Sequence, residues 1–336
     1  MNEARPAFLD LAASTGPWLV ADIGGTNARL GWVAGPGAPI EQVQTLAVAD
    51  HGQPQAAFEA YLAALPEPLR ARRPRRAAVA VATATGRDEI AFTNSPWRFS
   101  VQALQAGLGL ERLLVLNDFE ALALSLPRLG PAQWRPIGPA SPQGQGTLAV
   151  VGPGTGLGVG GVVPCRQGWL ALPGEGGHAT LAATDEFESA VLAAARTRFE
   201  HVSAERLLSG IGLPVLHAAV AEVMGAPAAL LPAERIVERG LSGEDAVCAR
   251  TLDCFCAMLG SFAGSVALTM GARGGVYVGG GIVPRLGEFF FTSRFREAFE
   301  AKGRFRDYLR AIPTALITDT LAALTGAAFA IEQDAR

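Results

Sequence analysis

Apolar runs and short glycine-rich breaks alternate along this chain in a way that predicts strands joined by tight turns, then helices. Trp18–Ala21 is an unbroken apolar run that ends on Asp22, and Leu30–Val33 resumes it after Ile23-Gly24-Gly25-Thr26-Asn27. Short apolar runs bounded by turn residues read as buried strands. The segment therefore predicts a hairpin, with Gly24 and Gly25 supplying the positive φ of a sharp turn. Ile40–Val48 reads as a third strand. Ala56–Leu65 has apolar residues at helical spacing and stops near Pro66. Ala77–Ala82 reads as a short buried strand, followed by the turn-like Thr83–Asp88. Val101–Leu108 predicts a helix, Leu113–Leu116 a strand ending at Asn117-Asp118, and Phe119–Leu126 a helix stopped by Pro127. A hairpin-led sheet followed by alternating helices and strands is an α/β pattern.

The hairpin signature recurs. After a Pro/Gly/Ser/Gln-rich loop at Gly138–Gly146, Thr147–Val151 is an apolar strand and Gly152-Pro153-Gly154-Thr155-Gly156 a glycine-rich turn. Leu157–Val163 is apolar and glycine-rich again. The two segments align on Gly25-Thr26 and Gly154-Thr155, which predicts two similar half-domains facing one another. Uncovered backbone N–H groups at such turns hold anions, so each hairpin is expected to contribute to a shared phosphate clamp. No GxxxxGK[ST] occurs, which argues against the P-loop class. Further on, helices are predicted at Thr184–Phe199, at Ala204–Ser209 behind the N-cap candidate Ser203, and over the small-residue-rich Ala246–Met270. Gly275–Val278 reads as a strand that ends in Gly279-Gly280-Gly281. Leu321–Ile331 reads as a terminal helix packed back on the first domain.

Composition narrows the function classes. A length of 336 residues favours two domains, and a hydrophobic content of 49% allows large cores. A net charge of −3 leaves no electrostatic footprint for nucleic acid or an anionic membrane. The cluster Arg70, Arg72, Arg73, Arg75 and Arg76 has no interleaved aromatics and reads as a solvated helix end and loop. No uninterrupted apolar run reaches 18 residues, so no spanning helix is expected. No secretion signal is expected either, and Cys165, Cys248, Cys254 and Cys256 are read as reduced thiols.

Five places could carry chemistry. Asp118 closes a buried strand where ligand crevices open in α/β sheets. By position it is either a helix cap or a general base, with Asn117 holding a hydroxyl beside it. Gly174-Glu175-Gly176-Gly177-His178 is either a surface loop or a carboxylate and imidazole that bind a sugar diol. Glu205 lies in a first helical turn, where the dipole alone would favour it. Gly279–Gly281 is either a plain turn or a place where backbone approaches a purine nucleoside. Thr93-Asn94-Ser95-Pro96-Trp97 is a loop that could supply hydrogen-bond donors to a ligand.

In this order these residues resemble the bacterial glucokinase family of the hexokinase and actin-like ATPase superfamily. The matching pieces are Asp22-Ile23-Gly24-Gly25-Thr26-Asn27-Ala28-Arg29, Leu116-Asn117-Asp118-Phe119, Gly152–Gly158, Pro173–His178, His201–Arg206 and Tyr277–Gly281. The resemblance implies an α/β fold of two RNase H-like, actin/hexokinase-type domains flanking a deep cleft. The small domain is expected at 1–128 plus 315–336 and the large one at 129–314. It implies a cytoplasmic homodimer that transfers the γ-phosphoryl group of ATP to the 6-hydroxyl of glucose, with Asp118 as catalytic base. Asn94, Asn117, Asp118, Glu175, His178 and Glu205 would bind the sugar. Gly24, Gly25, Thr26, Asn27, Gly154, Thr155 and Gly156 would hold the ATP phosphates, and Gly279, Gly280 and Gly281 the adenosine. Asp22 would orient Mg²⁺ through water. The related kinase and repressor group has a cysteine-rich motif after its Gly-Glu-x-Gly-His segment; none follows His178, so no zinc is expected. Ala82–Gly86 differs from the proline-containing loop of the family. The alternatives are a kinase for another hexose, a non-catalytic sugar sensor, or an actin-like ATPase acting on proteins.

Overall fold

The computed structural model describes residues 16–92, 95–142, 145–166, 168–227 and 230–335. The chain folds as two units. The first runs to Ser125 and takes the chain back at Leu321; the second is Leu126–Thr320.

The first unit is built on a five-stranded sheet. Its strands are β1 (Trp18–Ile23), β2 (Asn27–Val33), β3 (Ile40–Ala47), β4 (Arg76–Val81) and, after the small hairpin β5 (Glu89–Ala91) and β6 (Arg98–Ser100), β7 (Arg112–Asn117). The order is β3-β2-β1-β4-β7. β1, β2 and β3 form an antiparallel meander, while β4 and β7 run parallel to β1. Successive strand residues face opposite sides, so β1 feeds two cores. Leu19, Ala21 and Ile23 pack with Phe58, Tyr61 and Leu104 from the helices Pro54–Ala64 and Val101–Gly107. Trp18 and Val20 pack on the other face with Leu324, Ala327 and Ile331 of the helix Ala322–Asp334. The terminal helix does fold back on this unit, lying against the helix Asp118–Ser125 as well as the sheet.

The second unit repeats the plan. Its strands are β8 (Trp134–Pro136), β9 (Leu148–Pro153), β10 (Leu157–Cys165), β11 (Gly168–Leu172), β12 (Gly275–Val278) and β13 (Thr314–Ile317), in the order β11-β10-β9-β12-β13-β8. β9, β10 and β11 are the meander, and β12 and β13 run parallel to β9. The repeat inferred from two glycine turns is therefore a repeat of strand order. Helix Ala246–Met270 lies where the sequence predicts it. It starts at Asp245, whose carboxylate accepts the Val247 and Cys248 N–H groups at 2.9 and 3.0 Å, and ends on Gly271 at φ 64°. By length and composition it could cross a bilayer, but 83% of its most apolar window is buried. Its small residues admit the helix Phe295–Glu300: a Cβ on Gly260 would stand 2.0 Å from the Phe295 carbonyl oxygen. Cys248, Cys254 and Cys256 are buried, and burial pushes their thiols up to about 11, 12 and 12; Cys165 is exposed.

Some elements escape the sequence reading. β8 and β13 are short, and β11 is an edge strand with Leu170 exposed. The helices Leu213–Val223 and Ala233–Ser242 are further additions.

Candidate active site

On the first unit, the carboxyl ends of three parallel strands bring candidate residues to one edge. The register sets Ile23 of β1 beside Val81 of β4, and Val81 beside Asn117 of β7. Ala82 continues this edge by donating its N–H to the Ile23 carbonyl at 3.2 Å. Asn117 is the capping residue. Its Oδ1 accepts from the N–H groups of Phe119 at 2.9 Å and Glu120 at 3.4 Å, while its Nδ2 donates to the Thr83 carbonyl at 3.2 Å. The cap that position alone allowed for Asp118 is thus carried mainly by its neighbour. Asp118 is half-buried at the start of its helix, and its Oδ1 accepts from the Phe119 N–H at 3.0 Å. Burial raises the pKa of neighbouring Glu120, opposed by its backbone bond with Asn117.

The first glycine turn is closed by Gly24 N–H donating to the Asn27 carbonyl at 2.9 Å, and Thr26 accepts from the Val48 N–H at 2.9 Å. The positive-φ expectation is corrected: the glycines with positive φ do not include Gly24, Gly25, Gly154 or Gly156. A Cβ added to Gly24 would meet only the Asn27 carbonyl oxygen, at an ordinary 3.7 Å. Gly25 is half-buried, and Thr26 and Asn27 are exposed. Asp22, on β1 opposite Arg29, has its pKa raised by burial and lowered in part by the Arg29 guanidinium 3.9 Å away. A carboxylate so placed gains from a cation.

On the second unit the turn Gly154–Gly156 is closed by an internal bond and clasped from two sides. Gly154 N–H donates to the Gly156 carbonyl at 2.8 Å, Gly154 accepts from the Gly210 N–H at 2.8 Å, and Pro153 accepts from the Ile282 N–H at 3.2 Å. Gly154 itself would meet nothing within 4 Å if given a Cβ, and Thr155 is exposed. The Gly279–Gly281 turn packs on this hairpin. Gly279 donates to the Val151 carbonyl, and Gly280, at φ 78°, would place a Cβ 2.4 Å from the Pro153 carbonyl oxygen. Only glycine suits that position.

Glu175 and His178 are both exposed on their loop, where His178 N–H donates to the Glu175 carbonyl at 3.0 Å. The loop is pinned to its neighbour by Ala204 N–H donating to the Ala179 carbonyl at 2.9 Å. Ser203 caps the short helix Ala204–Leu207 as predicted, its side chain accepting from Arg206 N–H. Glu205 does more than decorate a helix start: Oε2 accepts the Leu157 N–H at 2.9 Å and Oε1 lies 3.9 Å from His178 Nε2. The structure thus brings His178 and Glu205 together beside the hairpin. Asn94 lies outside the described residues. Sequence reasoning missed the Ser209–Gly212 turn that grips the hairpin. Its one signal is Gly210-Ile211-Gly212, where a Cβ on Gly212 would stand 2.7 Å from the Glu205 carbonyl oxygen. Among the described residues no group of three or more His, Cys, Asp or Glu could hold a metal ion.

A family model described as Glucokinase matches residues 19–334. The chain is 48% identical over 320 residues to the glucokinase of Aromatoleum aromaticum, spanning 95% of this chain and 96% of that one. It is also 48% identical over 312 residues to the glucokinase of Chromobacterium violaceum, spanning 93% and 88%. Among solved structures, a glucokinase from an Antarctic psychrotroph is similar with a TM-score of 0.87 at 38% identity, covering 94% of this chain and 98% of that one.

Proposed function

The chain belongs to the glucokinase family, and on that premise we propose how its residues divide the work of transferring the γ-phosphoryl group of ATP to the 6-hydroxyl of glucose. It is a sugar kinase, and glucose is its substrate. Asp118 is the general base: it accepts the proton of the 6-hydroxyl as that oxygen attacks the γ-phosphorus. What most supports this is the placement of Asp118 at the carboxyl end of β7, on a turn that Asn117 fixes by bonds to Phe119, Glu120 and Thr83. Asn117 holds an adjacent hydroxyl with what remains of its hydrogen-bonding capacity. Asn94, Glu175, His178 and Glu205 take the other hydroxyls.

Phosphoryl transfer has a loose transition state, so positioning and charge neutralisation carry most of the catalysis. Gly24, Gly25, Thr26 and Asn27 line the phosphates at the first turn, and Gly154, Thr155 and Gly156 at the second. Because the Gly24 and Gly154 N–H groups close their own turns on Asn27 and Gly156, the phosphate oxygens are held by the remaining turn groups and by the Thr26, Asn27 and Thr155 side chains. Gly279, Gly280 and Gly281 present backbone to the adenosine. Asp22, whose charge is disfavoured by burial, is suited to hold Mg²⁺ through water. Bound there, Mg²⁺ supplies neutralising charge for the triphosphate. The enzyme works in the cytoplasm as a homodimer, which light scattering reads as twice the chain mass of 34.9 kDa.

The test is ADP release from Mg-ATP with a panel of hexoses. Release that requires glucose is expected, with little ADP formed in the absence of sugar. Release with a different hexose alone replaces the substrate and keeps the mechanism. Release that no sugar stimulates overturns the kinase reading.

A further inference from the structure

We propose that Glu205 is a positioning residue for the phosphate hairpin as well as a sugar ligand, so that nucleotide binding depends on it even when no sugar is present. The proposal deepens the reading above and rests on it. Several backbone groups of the hairpin turn go to backbone partners. Gly154 is bonded to Gly156 and Gly210, Thr155 accepts from Ile211, and Pro153 from Ile282. Leu157, the first residue after the turn, is buried, and its N–H goes to a side chain, Glu205 Oε2, at 2.9 Å. That carboxylate lies directly over the turn, because a Cβ on Gly156 would be 2.4 Å from Glu205 Oε2 and 3.2 Å from Glu205 Cδ.

The backbone that carries Glu205 is itself held. Ser209 Oγ donates to the Glu205 carbonyl at 2.7 Å, and Gly212 leaves no room beneath it. The second carboxylate oxygen faces His178 Nε2 at 3.9 Å. The His178 loop touches the same strand start: a Cβ on Gly177 would stand 1.9 Å from the Leu157 carbonyl oxygen. One carboxylate therefore joins the loop proposed for sugar to the turn proposed for phosphate. A sugar that draws on Glu205 acts on the Leu157 N–H, and with it on the geometry of Gly154–Gly156. By linkage, occupancy of the hairpin acts equally on the sugar loop.

A residue that only contacts sugar leaves nucleotide affinity unchanged in the absence of sugar. The experiment is calorimetric titration of the sugar-free full-length enzyme with a non-hydrolysable ATP analogue, on wild type, Glu205→Gln and Glu205→Ala. Glutamine keeps an oxygen that can accept the Leu157 N–H, whereas alanine leaves a buried donor unpaired. Glu205→Ala is expected to weaken the analogue about tenfold, and Glu205→Gln to stay within about twofold of wild type. Equal affinities in all three proteins overturn the link, and so does equal weakening in both variants. As a second variant, Gly156→Ala pushes the carboxylate away from the turn and is expected to raise the glucose Kd several-fold without nucleotide; an unchanged glucose Kd overturns the link from the sugar side. Wild-type protein that binds neither glucose nor the analogue overturns the kinase reading itself.

Discussion

Asp118→Ala is expected to lower kcat for glucose phosphorylation by at least about 10², within the 10²–10⁴ range of a positioned general base. The affinity for an ATP analogue should be almost unchanged. A factor of 10² corresponds to about 2.7 kcal/mol of transition-state stabilisation. That magnitude separates the catalytic role from the structural one. The side chain also accepts the Phe119 N–H at 3.0 Å near the start of its helix. Loss of a negative charge at a helix start costs only about 0.3–1 kcal/mol. Asn117, which keeps its bonds to Phe119 and Glu120, still caps the helix in the variant. A cap defect alone thus predicts a small fall in thermal stability with near-normal turnover. Loss of the base predicts the same small change in the melt with turnover collapsed. Steady-state kinetics run beside a thermal melt distinguish the two, and near-normal kcat would remove Asp118 from the mechanism.

The features legible in the sequence were those that depend on local pattern. Two apolar strands around Gly24-Gly25 and two around Gly154–Gly156 are readable because strands and turns declare themselves within about ten residues. Their shared meander-plus-parallel strand order then follows from the same units being used twice. Helix Ala246–Met270 was legible as one long run rich in small residues, and the structure adds the caps at Asp245 and Gly271 that fix its ends. What stayed hidden was set by distant partners. Glu205 reads locally as a residue placed by the helix dipole; its bond to Leu157 joins positions 48 apart. Asn117 and Asp118 are interchangeable as caps on paper, and only the Thr83 carbonyl, 34 positions away, ties the Asn117 amide down. The glycine turns show the same limit. Sequence pattern marks Gly24 and Gly154 as turn glycines, but it does not reveal that neither adopts a positive φ.

Gly326→Ala is expected to destabilise the first unit strongly, although it inserts a good helix former into a helix. Gly326 lies in Ala322–Asp334, where replacing glycine by alanine would by propensity alone gain about 1 kcal/mol. A Cβ there, however, would stand 1.6 Å from the Ala121 carbonyl oxygen, 2.6 Å from its carbon and 3.1 Å from the Ser125 N. All three atoms are backbone of the helix Asp118–Ser125, so no side-chain rotation relieves the clash and the two helices must separate. Overpacking of this kind typically costs about 1–3 kcal/mol and sometimes more. Separation would also loosen Leu324, Ala327 and Ile331 from Trp18 and Val20 beneath them. The net effect should be a loss of about 2 kcal/mol or more, read as an earlier urea transition. Gly52→Ala is the control. Gly52 is exposed, and a Cβ added to it would meet nothing within 4 Å, so that change should stay within about 0.5 kcal/mol. Because the displaced helix begins at Asp118, Gly326→Ala should also lower kcat more than it raises the KM for ATP. A variant as stable as wild type would show that the two helices can part without cost, and that the chain returning at Leu321 does not hold the catalytic turn in place.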